Sequence, residues 1–218
     1  MSAAAPDRRL IVIEGLPGSG HADFARWIGT RDDWYAACEE PHSFATVKGQ
    51  RPSPLSPLLQ RLLDRYDHAH SLVMTDMFRG HVVADHVFDT HLLWAKALLA
   101  EREWRIYQKI AEVIVPPPVS PDLVVYLQAP EPDNLAALRT LDKAIEPERW
   151  RELITAYNHH FFAYEASPLL VVRTQSSAWL SADGAREALW ERIASFTGGK
   201  TYIIGEVDFW QGGDPTGD

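Results

Sequence analysis

Leu10-Ile11-Val12-Ile13-Glu14-Gly15-Leu16-Pro17-Gly18-Ser19-Gly20-His21-Ala22 opens as a short apolar run, turns on glycines and leads into a segment of helical spacing, Ala22 to Ile28. From Gly15 to Gly20 it follows the frame of the G-x-x-x-x-G-K-[S/T] loop up to its second glycine. In such a loop the glycines let backbone N–H groups wrap phosphates at a helix N-terminus, the lysine neutralises them, and the hydroxyl holds Mg²⁺. Here His21 and Ala22 stand in the last two places. His21 is shorter than lysine and uncharged at pH 7 if it titrates ordinarily, and alanine has no oxygen at all. Losing one preorganised donor costs on the order of 10²- to 10³-fold in rate, and this loop has lost a cation and a metal ligand. His21 is then either a drifted residue at a helix start or the bearer of a new catalytic role.

Outward from this stretch, further apolar runs read as strands buried on both faces: Ser71 to Thr75, Leu123 to Leu127 and Leu169 to Val172, with a weaker one from Tyr35 to Cys38. Between them lie segments of helical spacing: Leu55 to Ala69, a long stretch from about Val82 to Val113, Asp133 to Leu141, Glu148 to Tyr164 and Gly184 to Ile193. Strands alternating with helices predict crossover connections, a parallel sheet and an α/β fold. Trp150, Leu153, Ile154, Tyr157, Phe161 and Tyr164 recur at steps of three and four, which predicts a helix packing one face on the sheet. Pro52-Ser-Pro54-Leu-Ser-Pro57 and Pro116-Pro117-Pro118 punctuate the chain without making a linker. Residues 1 to 197 are read as one domain. An extension from 198 to 218 holds a short candidate strand, Thr201 to Ile204, and an expected loose end.

Composition narrows the function classes. The 218 residues carry 21 Lys plus Arg against 30 Asp plus Glu, a net charge of −9, with 46% hydrophobic residues. That suffices for a core and excludes disorder throughout. An acidic chain without a basic block is unsuited to nucleic-acid backbones. One cysteine, Cys38, fits a reducing compartment, and with no stretch long enough for a signal or a membrane span a cytoplasmic location is expected. His68-x-His70, the series His81, His86, His91 and the pair His159-His160 lack metal-ligand spacing, so no metal site is assigned to them.

Several segments together resemble the deoxynucleoside kinase family, in particular bacterial deoxyadenosine and deoxyguanosine kinase-like enzymes. They are Ile13-Glu14-Gly15 through Gly20, Glu39-Glu40-Pro41 after the second strand, Leu72-Val-Met-Thr-Asp76 as the third, and Pro121-Asp122-Leu-Val-Val-Tyr-Leu-Gln128-Ala129 as the fourth. Tyr157-Asn158-His-His-Phe-Phe162 followed by Pro168-Leu-Leu-Val-Val172 completes the set. The resemblance implies a three-layer, doubly wound, five-stranded parallel sheet, ATP at the first loop (Gly15, Gly18, Ser19, Gly20, His21) and a deoxynucleoside over the strand ends. It places the general base at Glu40 and a further carboxylate at Asp76, a substrate contact at Arg65, and a phosphate-clasping lid that includes Arg139. Glu40 and Asp76 equally suit solvated strand ends.

The chain departs from the family's pattern beyond the loop. The lid region Arg139 to Glu152 sets four basic residues against four acidic ones, and Leu58 stands where the family's base-reading glutamine would fall. Two expectations follow. The first is a deoxynucleoside kinase-like pseudoenzyme acting as a binding or regulatory scaffold; the second is an active but atypical kinase using ATP and Mg²⁺. The apolar and aromatic content of 55–69 and 82–113 predicts a homodimer, or a protein partner on the same face, anchored by Trp94 and Trp104.

Overall fold

A computed structural model of the chain describes residues 9–39, 53–75, 80–117, 119–174, 176, 179–181 and 184–204. The elements run β1 (Arg9–Gly15), α1 (His21–Ile28), β2 (Trp34–Ala37), α2 (Leu55–Thr75), β3 (His81–Ala84), α3 (His91–Leu98), α4 (Glu101–Ala111), β4 (Leu123–Gln128), α5 (Glu131–Leu141), α6 (Pro147–Phe162), β5 (Leu169–Arg173), α7 (Ala185–Ala194) and β6 (Lys200–Ile204). The strands form one sheet in the order β2-β3-β1-β4-β5-β6, every neighbouring pair parallel.

The expected α/β architecture is present, with three corrections. The sheet has six strands rather than five, because the segment foreseen in the C-terminal extension pairs with β5 from Leu169↔Lys200 to Arg173↔Ile204. Ser71 to Thr75 is the last part of the 21-residue helix α2, not the third strand. Leu58, Leu62, Arg65 and Ala69 are buried at steps of three and four, and the apolar run simply continues that helix. The third strand is His81–Ala84, inside the stretch that reads as one long helix, and the rest of that stretch breaks into α3 and α4 at the extended residues Leu99 and Ala100. His81, His86 and His91 therefore lie on a strand, a turn and a helix, not along one helix.

Alternation along the strands builds two cores. Val12, Ala84, Val124 and Tyr126 face Leu58, Leu62, Trp94, Trp150 and Tyr157 from α2, α3 and α6. Ile11, Ile13, Val83 and Val125 face Phe24, Ile28, Leu189 and Ile193 from α1 and α7. The predicted α6 face is buried throughout: Trp150, Leu153, Ile154, Tyr157, Phe161 and, just beyond the helix, Tyr164. Trp94, expected as an interface anchor, is 2% exposed and donates from Nε1 to the Tyr157 hydroxyl at 2.7 Å. It is a core residue.

Candidate functional site

The carboxyl ends of parallel strands are where ligands collect, and three neighbours in the sheet, β2, β3 and β1, end beside one another. The glycine turn follows β1. Gly15 sits under the Ser19 side chain, and a Cβ there would lie 2.3 Å from Ser19 Oγ. Gly18 holds φ +93°, and a Cβ on it would lie 2.7 Å from the Asp133 carbonyl oxygen, so the turn packs on α5. The Asn134 side-chain amide donates to the Pro17 carbonyl at 2.8 Å and fixes the same contact.

Inside the turn, Ser19 N–H donates to the Leu16 carbonyl at 3.0 Å, and His21 N–H donates to Ser19 Oγ at 3.3 Å. Ser19 Oγ also bonds His21 Nδ1 at 3.0 Å. The N–H groups of Ser19 and His21 and the turn's one hydroxyl are thus committed to bonds within the turn, and the Gly15 N–H to Glu14. Burial pushes His21 down to about 4, reinforced by the Arg61 charge and opposed by Asp85 and Glu39. At neutral pH the imidazole is uncharged. Ala22 offers no oxygen to Mg²⁺, and Ser19's is engaged by His21.

Beside the turn lies a buried network of charge. Glu14, 1% exposed, accepts from Gly15 N–H at 3.0 Å through one oxygen, and from Val87 N–H at 2.8 Å and the Thr90 hydroxyl at 3.2 Å through the other. Glu39, just past β2, is gripped by two arginines of α2. Arg65 bonds it through Nε and, at 3.3 Å, through Nη2; Arg61 bonds it through Nη2 at 2.7 Å. Arg65 Nη1 also donates to the carbonyls of Val87 and Phe88 at 2.9 and 3.2 Å and to Thr90 Oγ1 at 2.7 Å. Asp85, closing β3, accepts from Glu39 N–H at 2.9 Å and pairs with His86 Nδ1 at 3.0 Å. Burial alone would raise the Glu39 carboxyl, but the Arg61 and Arg65 charges hold it well below the usual range. Cys38 is pushed up to about 12 by burial, with Asp85 adding to the effect, which disfavours the thiolate.

Glu14 goes the other way. Burial outweighs the Arg65 charge and its two backbone bonds and lifts the carboxyl from 4.5 to about 7. A carboxyl raised in the folded state holds its proton more tightly than in the unfolded chain. Its stabilising share is complete below about 4.5 and is lost as pH rises to about 7. Urea unfolding of the wild-type chain and Glu14→Gln at pH 4.5 and 8 is expected to show the wild type's advantage shrinking by about 3 kcal/mol or less over that interval. Other titrating groups are common to both proteins and cancel. A difference that does not move with pH would contradict the assignment.

Of the residues singled out in the sequence, Gly15, Gly18, Ser19, Gly20 and His21 come together in one turn, and Arg65 joins them through Thr90 and Glu14. Arg139 does not: it is exposed in the last turn of α5. Other lid-region arginines are engaged elsewhere, Arg149 on the Ala97 carbonyl at 3.1 Å and Arg151 on Glu131 and Glu148 at 3.3 and 2.9 Å. Leu58 is buried in the core. Glu40 and Asp76 lie outside the described residues; Asp76 in any case follows α2, and the carboxylate that closes β3 is Asp85. Sequence reasoning passed over Glu14, Glu39 and Asp85. A signal was available for Glu14, which shares the strand face of Val12 and so points into a packed layer.

A family model described as deoxynucleoside kinase matches residues 11–197. The chain belongs to the deoxynucleoside kinase family. Two solved structures of deoxyadenosine kinase from M. mycoides share the family member's fold. One, with the products dCMP and a flexible dCDP bound, superposes at TM-score 0.64 with 16% identity, covering 86% of this chain and 100% of the other. The second, with bound dATP, gives 0.61 and 13% over 85% and 100%. Thymidylate kinase from Ehrlichia chaffeensis gives 0.51 and 15% over 78% and 89%. A search of curated protein sequences finds no match. Among the described residues of this deoxynucleoside kinase family member, no helix is long and apolar enough to cross a membrane.

Proposed function

We propose that this deoxynucleoside kinase family member binds a nucleotide phosphate on its glycine turn without transferring it, and works as a binding or regulatory scaffold. The observation that carries this reading is the His21–Ser19 bond. A phosphoryl-transfer loop needs a cation on the transferred group and an oxygen on Mg²⁺. In this turn the side chain at the cation's position is neutral and bonded inward, and the one hydroxyl is its partner. The engagement of Arg149 and Arg151 and the buried Leu58 support the same conclusion. For the scaffold's own contacts, Leu63 of α2, Leu92 of α3 and Ile106 of α4 are exposed apolar residues on the helices expected to form a homodimer.

The direct test is to incubate the protein with ATP, Mg²⁺ and each of the four deoxynucleosides and to separate the monophosphates. No product above background is expected. Turnover within the ordinary kinase range of about 1 to 100 per second would overturn the reading and establish an atypical kinase.

A further inference from the structure

The glycine turn lacks a cation, Arg149 and Arg151 of the lid region are bonded to other partners, and Arg65 is spent on Glu39, two carbonyls and Thr90. Arg61 is different. It lies one helical turn before Arg65 on the same face of α2, about 6 Å further along the axis. A crossover helix runs antiparallel to its strands, so that step is toward the carboxyl side of the sheet, where the glycine turn lies. Its bond to Glu39 uses Nη2 at 2.7 Å and a long Nε contact at 3.4 Å, leaving Nη1 outside the pair. Glu39 already has a full partner in Arg65, so Arg61 is the second cation on one carboxylate. Its guanidinium rests 4.3 Å from the centre of the Trp94 ring, and its side chain is 13% exposed. The plane is therefore held in position, largely out of water, and Nη1 has no hydrogen-bond partner among the described residues.

We propose that Arg61 is the phosphate-binding cation of this protein, a guanidinium supplied from α2 in place of one from the glycine turn, and that it selects a phosphate-bearing nucleotide over a nucleoside. This rests on the reading that the turn still holds phosphate. Guanidinium forks match phosphate oxygens, and a group fixed in advance on an aromatic ring loses little freedom on binding. The Arg61 charge is also felt at His21, where it helps keep the imidazole neutral. The two positions thus act in concert: a charged lysine at position 21 would be repelled by Arg61, and histidine is not.

Calorimetric titration of the full chain with ADP, dAMP and deoxyadenosine at low and high KCl tests this. The wild type is expected to bind ADP or dAMP with salt-weakened affinity and deoxyadenosine far more weakly; which nucleotide responds distinguishes a diphosphate on the turn from a monophosphate on the α2 side. Arg61→Met keeps the apolar stem over Trp94 and is expected to lower nucleotide affinity about 10- to 100-fold and to flatten the salt dependence. Arg61→Lys keeps the charge without the fork and is expected to retain the salt dependence with an affinity between those of wild type and Arg61→Met. Wild-type affinity and salt dependence in folded Arg61→Met would overturn the proposal, as would wild-type chain that binds deoxyadenosine as tightly as dAMP. Loss of binding in Arg61→Lys equal to that in Arg61→Met would also count against it, since a cation would then not suffice. A wild-type chain that binds neither nucleotide overturns the phosphate-holding reading itself.

Discussion

Arg65→Ala is expected to lower the unfolding free energy by about 3 to 5 kcal/mol, the scale for removing one partner of a buried ion pair. Arg65 has a fully buried side chain and ties β2, α2 and the turn after β3 into one unit through Glu39, Val87, Phe88 and Thr90. Its loss leaves Glu39 with Arg61 alone and removes the guanidinium donor from the Val87 and Phe88 carbonyls. It also enlarges a cavity of about 330 Å³ that Arg65 lines together with Val12, Ala69 and Ala84. Arg61→Ala leaves Glu39 its Arg65 partner, so that no buried charge is stranded, and should cost less than Arg65→Ala. Paired urea melts of the two variants are the check. Equal, small losses would mean that Arg65 is not the keystone.

His21→Lys combined with Ala22→Thr is expected to raise Mg·ATP affinity about tenfold or more while leaving turnover of deoxynucleosides below about 1 per second. The change adds a cation and an oxygen and releases Ser19 from the imidazole it now bonds. The gain should need Mg²⁺, because threonine supplies a ligand that alanine lacks. Affinity should nevertheless stay short of that of a complete loop, since Arg61 opposes the new lysine. Catalysis should not return, because Arg149 and Arg151 remain on other partners and Leu58 remains core. Titrations with and without Mg²⁺, beside the product assay, measure both halves. Unchanged nucleotide affinity would show that the turn's backbone is not a phosphate cradle.

Most of the fold was legible because periodicity and burial agree. The runs at β1, β4 and β5 are apolar on both faces, and α6 repeats at the helical step over four turns, so local pattern and tertiary environment give one answer. The third strand was hidden for the opposite reason. Ser71-Leu72-Val73 has strand-like composition, yet Val73 is exposed and the segment prolongs a helix whose packing was settled by Leu58, Leu62 and Ala69. His81–Ala84 is only four residues long, too short for alternation to register. At the site, the glycine turn is a contiguous motif and could be read. Glu39, Arg61 and Arg65 become one object only when a helix lies over a strand end, and no spacing along the chain announces it. Asp85 was out of reach as soon as β3 was misplaced.

The sixth strand has a consequence for where the folded unit stops. β5 contributes Leu169-Leu170-Val171-Val172, all buried, and its outer ladder is taken up by β6. A polypeptide ending at 197, where the family match ends, would expose that ladder as an open border of unpaired amides and carbonyls carrying four apolar residues. Such a border invites pairing between molecules. Lys200–Ile204 therefore moves the border from an all-apolar strand to one that opens with Lys200 and Thr201, a duty that the region's assignment to a tail would conceal.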